Sequence, residues 1–353
     1  LYYKKPFFVS FNISLVWQKR KMSKSYKVGN PRVTIFGGSG FLGRYIVYMF
    51  AKNGWKVVVG VRYPNNAGFL KIHGVEGQIS LREVNINDED QIKAAIIGSD
   101  AVINCVGILD EKSGSQKFDI LHKKSASNIA IISKKMGVKR LTHISSLGSN
   151  ESSLSRYSRS KKEGENSVIE NFPESVILRP SIIFGPEDDF FNRFAKISVI
   201  SPVIPIVGGE TKFQPIYVLD VAEAAFKSAA DDSYKGIYEL GGPDVLSFKK
   251  LITIMLKVIG RRRFAINLPF RVATVLALVL SFFKKVTFGL VPALITRDQV
   301  NSLRYANTVQ VGFRGIESFD IKPISLSVIL PKYLWKYRKS GQFNEEAFSK
   351  FED

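Results

Sequence analysis

Val33-Thr-Ile-Phe-Gly-Gly-Ser-Gly-Phe-Leu-Gly43 decides the fold. Four residues of strand type, Val33 to Phe36, run into Gly37, Gly38, Ser39 and Gly40, and Phe41, Leu42 and Gly43 then open an apolar helical pattern ending near Lys52. A strand, a glycine turn and a helix start, in that order, make an anion site. Backbone N–H groups and the positive end of the helix dipole face the turn, where a side chain would obstruct a pyrophosphate. The spacing satisfies G-x-G-x-x-G from Gly38 and G-x-x-G-x-x-G from Gly37. Strand before and helix after are the context that separates a dinucleotide-binding turn from an ordinary tight turn.

Working outward, strand-type and helical patterns alternate. Lys56–Val61, Leu81–Ile86, Ala101–Cys105, Arg140–Ile144 and Val176–Pro180 read as further strands. Between them lie helical patterns, one cued by the acids of Asn87-Asp88-Glu89-Asp90 and one covering Gln116–Met136. This rhythm predicts an α/β protein: a Rossmann-like, doubly wound parallel sheet over residues 31–245. A smaller, mainly helical C-terminal lobe over 246–335 is expected to interleave with strands from 176–245, before a basic tail at 336–353. Right-handed crossovers then place every strand C-terminus, and the ligand, along one edge.

Along that edge, the second strand ends at Arg62-Tyr63-Pro64-Asn65 with no acid to bond a ribose 2′-OH. A cation at that point pairs with a 2′-phosphate, so Arg62 favours NADPH over NADH; Arg44, on the first helical turn, is placed to assist. The other reading of Arg62 is one more exposed charge in a basic protein. Val106 and Gly107 follow the fourth strand, where an adenine–ribose edge would pass.

Ser146 sits past the fifth strand, and Tyr157-Ser-Arg-Ser-Lys161 puts a phenol and an ammonium on one helical face. A free phenol titrates near pH ~10, too high for a base at neutral pH. A neighbouring Lys161 cation and a cationic nicotinamide are expected to lower it. Tyr157 would then exchange a proton with a carbonyl, and Ser146 would hold the oxygen. In a lysine-rich chain Tyr-x-x-x-Lys is common on surfaces; its place after a Ser-Ser strand end points to a site.

Gly-Gly-Ser-Gly-Phe-Leu-Gly43, the Asn104-Cys-Val-Gly107 strand end, Ser146 with Tyr157 and Lys161, and Arg179-Pro180-Ser181 together resemble the short-chain dehydrogenase/reductase superfamily in its extended or atypical branch. Closer similarity lies with the nucleotide-binding accessory subunits of respiratory complex I (alpha subcomplex subunit 9) and their bacterial relatives. It is carried by Gly40-Phe-Leu-Gly-Arg-Tyr45, Ser155-Arg-Tyr157, Ile183-Phe-Gly-Pro-Glu-Asp188 with Asn192-Arg-Phe194, Gln214-Pro-Ile-Tyr-Val218 with Asp220-Val221, and Ile295-Thr-Arg-Asp298. The similarity runs from about Arg32 to Arg304, and thins beyond Asp220. It implies that Gly37, Gly40, Gly43 and Arg62 hold the cofactor's phosphates, with Gly38, Ser39, Phe41 and Leu42 completing the turn. It also implies that Pro180, Ser181 and Ile182 line the nicotinamide side. The family implies bound NADPH, NADH being the alternative, without a metal, and a peripheral position on the energy-transducing membrane, with turnover left open. Two positions depart from the pattern. Asn85, beside Ile86, stands where the family places an adenine-binding Asp, and Ser146 precedes Tyr157 by eleven residues, closer than in extended-branch enzymes.

Bulk properties bound the rest. The 353 residues suffice for one large domain or a domain with a lobe, and the single cysteine, Cys105, excludes an internal disulfide. The 51 Lys and Arg against 31 Asp and Glu give a net charge of +20, which calls for polyanionic neighbours. Residues 1–21 are basic, aromatic and free of Met, and are set apart from the fold, Met22 reading as the start. Within 246–335, Arg261-Arg262-Arg263 and the apolar run Val272–Phe283, closed by Lys284-Lys285, lie in a stretch with no acid between Asp244 and Asp298. The run is short of the roughly 18 residues a span needs. It reads either as a helix in the interface of an anionic leaflet or as a buried helix with solvated charges beside it.

Three functions follow. One is a cofactor-binding structural or regulatory subunit of the NADH:quinone oxidoreductase. It would lie on the cytoplasmic side of a bacterial inner membrane, or on the matrix side in a mitochondrion. The second is an active NADPH-dependent reductase on a quinone-like or lipid substrate. Nucleic-acid binding, the third, has net charge alone behind it and no module.

Overall fold

Alternation within the first strand explains the layering. In β1 (Arg32–Phe36) Val33 and Ile35 join one apolar cluster while Phe36 joins a second on the opposite face, and all three are fully buried. Both faces of a parallel sheet are covered, so its strands read as continuous apolar runs. This is a computed structural model; it describes residues 31–111, 116–286, 296–339 and 341, with backbone alone at 281–286.

From β1 the chain runs through α1 (Phe41–Lys52), β2 (Lys56–Val61), a 3-10 segment (Pro64–His73), β3 (Ile79–Glu83), α2 (Glu89–Ile96) and β4 (Ala101–Asn104). A π-helical turn (Asp119–Lys124) leads into α3 (Ser125–Lys135), followed by β5 (Arg140–Ile144), α4 (Arg156–Asn171) and β6 (Val176–Pro180). The remainder is β7 (Ile183–Phe184), α5 (Phe190–Ile200), β8 (Val203–Val207), β9 (Lys212–Phe213), β10 (Ile216–Tyr217), α6 (Val218–Ala230), β11 (Gly236–Leu240), β12 (Leu246–Ser247), α7 (Phe248–Val258), β13 (Phe264–Leu268), α8 (Phe270–Val286), α9 (Arg297–Ser302) and α10 (Leu326–Leu334).

Seven strands form one sheet in the order β11-β6-β5-β4-β1-β2-β3, every pair parallel. The order reverses between β1 and β4, and sheets of this kind take their ligands outside the carboxyl ends of the strands at such a point. Helices α1 and α6 pack on one face, α2, α3 and α4 on the other. The doubly wound parallel sheet expected from the sequence is therefore the fold. Three two-stranded ladders, β7 with β10, β9 with β12 and β8 with β13, join the later helices to it.

Several boundaries differ from expectation. The third strand is Ile79–Glu83, not Leu81–Ile86, because Asn85 turns the chain: its side-chain oxygen accepts the Asn87 N–H at 3.1 Å. As expected, an acid starts α2: Asp88 accepts the N–H groups of Asp90 and Gln91 at 3.0 and 3.1 Å. Helix Gln116–Met136 is instead the π-helical turn followed by α3. The apolar run is part of α8, and the reading as a buried helix does not hold: Ala273 and Ala277 are buried, but Val272, Val275, Leu276, Leu278 and Val279 are exposed. Past Pro331, Tyr333 and Leu334 are buried, and a 3-10 turn at Trp335–Tyr337 carries the packed chain just into the segment expected as a basic tail. Residues 1–30, including the segment set apart as 1–21, and 342–353 lie outside the described residues. Among the described residues, no helix is long and apolar enough to cross a membrane.

Candidate functional site

Glycine is required at the β1–α1 turn for three separate reasons. Gly37 has φ +78°, a left-handed backbone, and its N–H donates to the Gly60 carbonyl of β2 at 3.3 Å. A Cβ on Gly38 would meet Val59 Cγ1 at 2.5 Å. One on Gly43 would fall inside contact distance of the Gly37 carbonyl oxygen and 2.6 Å from Gly38 Cα, so α1 can approach the turn this closely only without a side chain there. Gly40 differs. It is the N-cap, with no side-chain cap, and its Cβ would meet only the Gly37 carbonyl oxygen, at 3.2 Å. The first intrahelical bond is Arg44 N–H to Gly40 O at 3.2 Å, so the amides of Phe41, Leu42 and Gly43 precede it and are the donors a helix start offers an anion. These residues fit a pyrophosphate-bearing nucleotide.

Arg62 is exposed just past the end of β2. Arg44 is not turned to the same place: it lies over the Phe69 ring and 3.9 Å from Glu187, whose other oxygen accepts the Tyr45 hydroxyl at 2.5 Å. Asn85 is exposed, its oxygen used within its own turn, and Ile86 packs on the α2 side of the sheet. Val106 donates its N–H to Asn104 Oδ1 at 3.0 Å, and the Asn104 amide in turn meets His143 Nδ1 at 3.1 Å. The strand end that carries Val106 and Gly107 is thus braced from beneath. Burial pushes the neighbouring Cys105 thiol up to about 12, which makes it an inert packing group.

Lys161 and Tyr157 lie on α4 as their spacing predicts. The Lys161 ammonium is buried and donates to the Ile144 carbonyl, the last of β5, at 2.7 Å; burial lowers its pKa to about 8 against the pull of Glu165. Tyr157 is half-buried. Ser146 lies near enough, despite the eleven-residue spacing, to oppose the rise in the phenol pKa, while its hydroxyl stands 3.3 Å from Ser149 Oγ. That rise is the reverse of the expected depression. Burial is its main cause, Asp298 adds to it, and the ammonium that was to lower it is aimed at Ile144 instead. In this chain the phenol is held neutral.

His122 was not foreseen. It stands in the π-helical turn, stacks on Phe118 at 5.2 Å and meets the Tyr157 ring edge-on at 5.5 Å. Its Nε2 accepts the Ile108 N–H at 3.1 Å, so Nδ1 carries the proton and donates to Ser160 Oγ at 2.8 Å. The Ser160 hydroxyl in turn donates a hydrogen bond to the Tyr157 carbonyl at 2.8 Å. One neutral ring therefore ties the Val106-Gly107-Ile108 loop to the Tyr157–Lys161 helix. Burial and the Lys161 charge lower its pKa to about 3. Nothing in its sequence neighbourhood marks it, because a widened helical turn has no side-chain code of its own.

Pro180 ends β6 and Ile182 packs against the larger core. Ser181 is buried, and its hydroxyl is committed to Asn307, 2.7 Å from Oδ1 and 3.0 Å from the carbonyl. Arg179, beneath, binds Glu165 of α4 and Glu239 of β11 in a buried ion triad, at 2.6 and 3.3 Å.

Comparison with known proteins agrees with this geometry. Residues 33–241 match the model of the NAD dependent epimerase/dehydratase family. The chain is 35% identical over 315 residues to "NADH dehydrogenase (ubiquinone) 1 alpha subcomplex subunit 9, mitochondrial" of Arabidopsis thaliana, covering 87% of this chain and 78% of that one. It is 29% identical over 193 residues to a ceramide reductase of Caulobacter vibrioides, covering 54% and 58% of the two chains. Among solved structures, the fold is shared with the NADPH-dependent quinone oxidoreductase QOR2 of Escherichia coli complexed with NADPH. The TM-score is 0.62 and the identity 19%, over 84% of this chain and 97% of that one.

Proposed function

The chain belongs to the NAD dependent epimerase/dehydratase family and, within it, to the complex I alpha subcomplex subunit 9 proteins, and from that premise we propose that it is a nucleotide-binding accessory subunit of respiratory complex I. Its cofactor is NADPH, held for structure or regulation. The observation that carries this reading is the intact glycine cradle at the β1–α1 turn, in a chain similar over most of its length to the subunit 9 proteins. The amides of Phe41, Leu42 and Gly43 would hold the pyrophosphate, Arg62 the 2′-phosphate, and the loop at Val106 and Gly107 the adenosine side. When bound, the nicotinamide supplies a hydride to donate or accept. The chain's own part would be to hold a proton on Tyr157, steadied by Ser146, and to keep α4 in place through Lys161 and His122. Bound ligand stabilises the fold: nucleotide at 100 times its Kd adds about 2.7 kcal/mol.

On this reading the protein sits peripherally on the energy-transducing membrane; the plant relative's name marks that protein as mitochondrial. The exposed apolar residues of α8, with Phe264 and Ile266 of β13 and the arginines at 261, 262, 263 and 271, supply an apolar face with a cationic border suited to an anionic lipid surface.

An active NADPH-dependent reductase is the second reading, favoured by Tyr157 and Lys161 on one helix near Ser146 and by the similarity to a ceramide reductase. Tyr157→Phe separates the two. In the accessory-subunit reading the variant binds NADPH as wild type does and assembles with complex I. Purified wild-type protein then oxidises no NADPH with quinone or sphingolipid ketone acceptors. A steady NADPH oxidation by wild type that Tyr157→Phe abolishes would establish the reductase instead.

A further inference from the structure

Helix α4 begins without an anion of its own. Its N-cap is Ser155, its first turn contains no acid, and Arg156 and Arg159 stand beside the positive end of its dipole. The missing charge comes from α9. Asp298 Oδ1 accepts the Arg156 N–H at 2.6 Å, and Oδ2 accepts the Tyr157 N–H at 3.1 Å and the Ser155 hydroxyl at 2.8 Å. Ser155 then caps the Ser158 N–H at 3.3 Å. Both carboxylate oxygens are therefore spent on the turn that carries Tyr157.

Asp298 is itself held firmly. Thr296 and Gln299 close a reciprocal capping box around the start of α9, and Ser302 donates to the Asp298 carbonyl at 3.1 Å. A second strut, Asn301 to the Leu154 carbonyl at 3.4 Å, runs parallel to the first. Val300, fully buried, packs with Ala273 and Ala277 on the inner side of α8. An unbroken path thus leads from the apolar helix α8 through Val300 and Asp298 to the Tyr157 backbone. One turn further along α4, the Lys161 ammonium is pinned separately to Ile144. A shift of α9 would therefore move the phenol more than the ammonium.

We propose that Asp298 is a positioning residue through which the C-terminal helices set the place of Tyr157, and that displacement of α9 changes how tightly the site holds nucleotide. The proposal rests on the reading of Tyr157 as part of a nucleotide site. Reciprocity follows: whatever binds α8 and shifts α9 changes nucleotide affinity, and nucleotide changes that partner's affinity by the same factor.

The test uses the full chain with Asp298→Asn, which keeps an oxygen acceptor and loses the charge, and Asp298→Ala, which loses both. Without nucleotide, the Tyr157 phenol is titrated by NMR of 13C-labelled tyrosine, its signal identified from Tyr157→Phe. The groups facing it are Phe118 and His122 from the π-helical turn, Ser146 from the loop after β5, and Asp298. In Asp298→Asn the phenol should titrate at lower pH, since the Asp298 charge raises it. Amide exchange at Arg156 and Tyr157 should quicken about tenfold in Asp298→Ala, the factor expected from losing about 1.4 kcal/mol of local protection. An unmoved titration with unmoved exchange overturns the proposal, and if the Ala variant does not fold, the Asn variant decides. NADPH affinity should then fall about tenfold in Asp298→Ala and stay within about twofold of wild type in Asp298→Asn, whose amide oxygen still accepts the backbone N–H groups of that turn. Unchanged affinity in Asp298→Ala overturns it. Wild-type protein that binds no NADPH would remove the functional reading, while titration and exchange still decide the role of Asp298.

Discussion

At the scale of single residues, the site is organised by side chains kept in their neutral forms. His122 bridges the loop at Ile108 and the helix at Ser160 only while Nε2 remains an acceptor. Its folded pKa of about 3 lies below the ordinary 6.5, so the unfolded chain takes up a proton that the folded chain refuses as pH falls below 6.5. The stability from this group is complete above pH 6.5 and lost progressively down to about 3. Between pH 7 and 5 that loss is about 2 kcal/mol. Urea unfolding at the two pH values should show wild type losing that much more than His122→Gln, whose amide can accept and donate without titrating. Equal losses would remove His122 as the acid-sensitive bridge. Lys161 has the opposite charge logic on the alkaline side. Its folded pKa of about 8 is below the ordinary value of 10.5, so its burial penalty applies in full below 8 and is relieved as pH rises towards 10.5. Lys161→Met should therefore gain stability relative to wild type at pH 7, and the gap should narrow by pH 10 in the same unfolding measurement.

Elements are where sequence and structure can be compared most directly. The β1 turn was legible because glycine spacing reports clearances that are mostly local: Gly38 and Gly43 each meet atoms within the same βαβ unit, and Gly37 takes a left-handed backbone. Tyr157 and Lys161 were legible because helical spacing puts them on one face. The direction of the phenol's pKa was not, since it depends on where the ammonium points and on Asp298, a residue far along the chain. Strand three was misplaced because Asn85 forms a turn within a run of strand-type residues. His122 and the Asp298 cap needed contacts between distant elements, for which one sequence carries no signal. The ion triad of Arg179, Glu165 and Glu239 is a similar case. It locks α4 to β6 and β11 with all three side chains buried. Arg179→Ala would strand two carboxylates away from water and should cost about 3–5 kcal/mol of unfolding free energy. A loss under 1 kcal/mol in denaturant titration would mean the triad is hydrated when the chain is folded.

For the whole molecule, a chain of contacts through Val300 and Asp298 joins α8 to the turn of α4 that carries Tyr157. The net charge of +20 finds its place in this picture as attraction to an anionic surface, with the apolar residues of α8 supplying contact once there. Val275→Glu with Leu278→Glu, both at exposed positions, should leave folding intact and weaken sedimentation with phosphatidylglycerol vesicles at least tenfold. Unchanged sedimentation would leave α8 without a lipid role.

The account stands or falls on a nucleotide in the glycine cradle. Mass spectrometry of small molecules released on denaturing the purified protein is the direct measurement, made on wild type and on Gly40→Glu, whose side chain would occupy the phosphate position. The account predicts close to one NADPH per wild-type chain and none from a folded Gly40→Glu chain. Wild-type protein that stays empty even after incubation with NADPH, or a variant that retains the nucleotide, would contradict it.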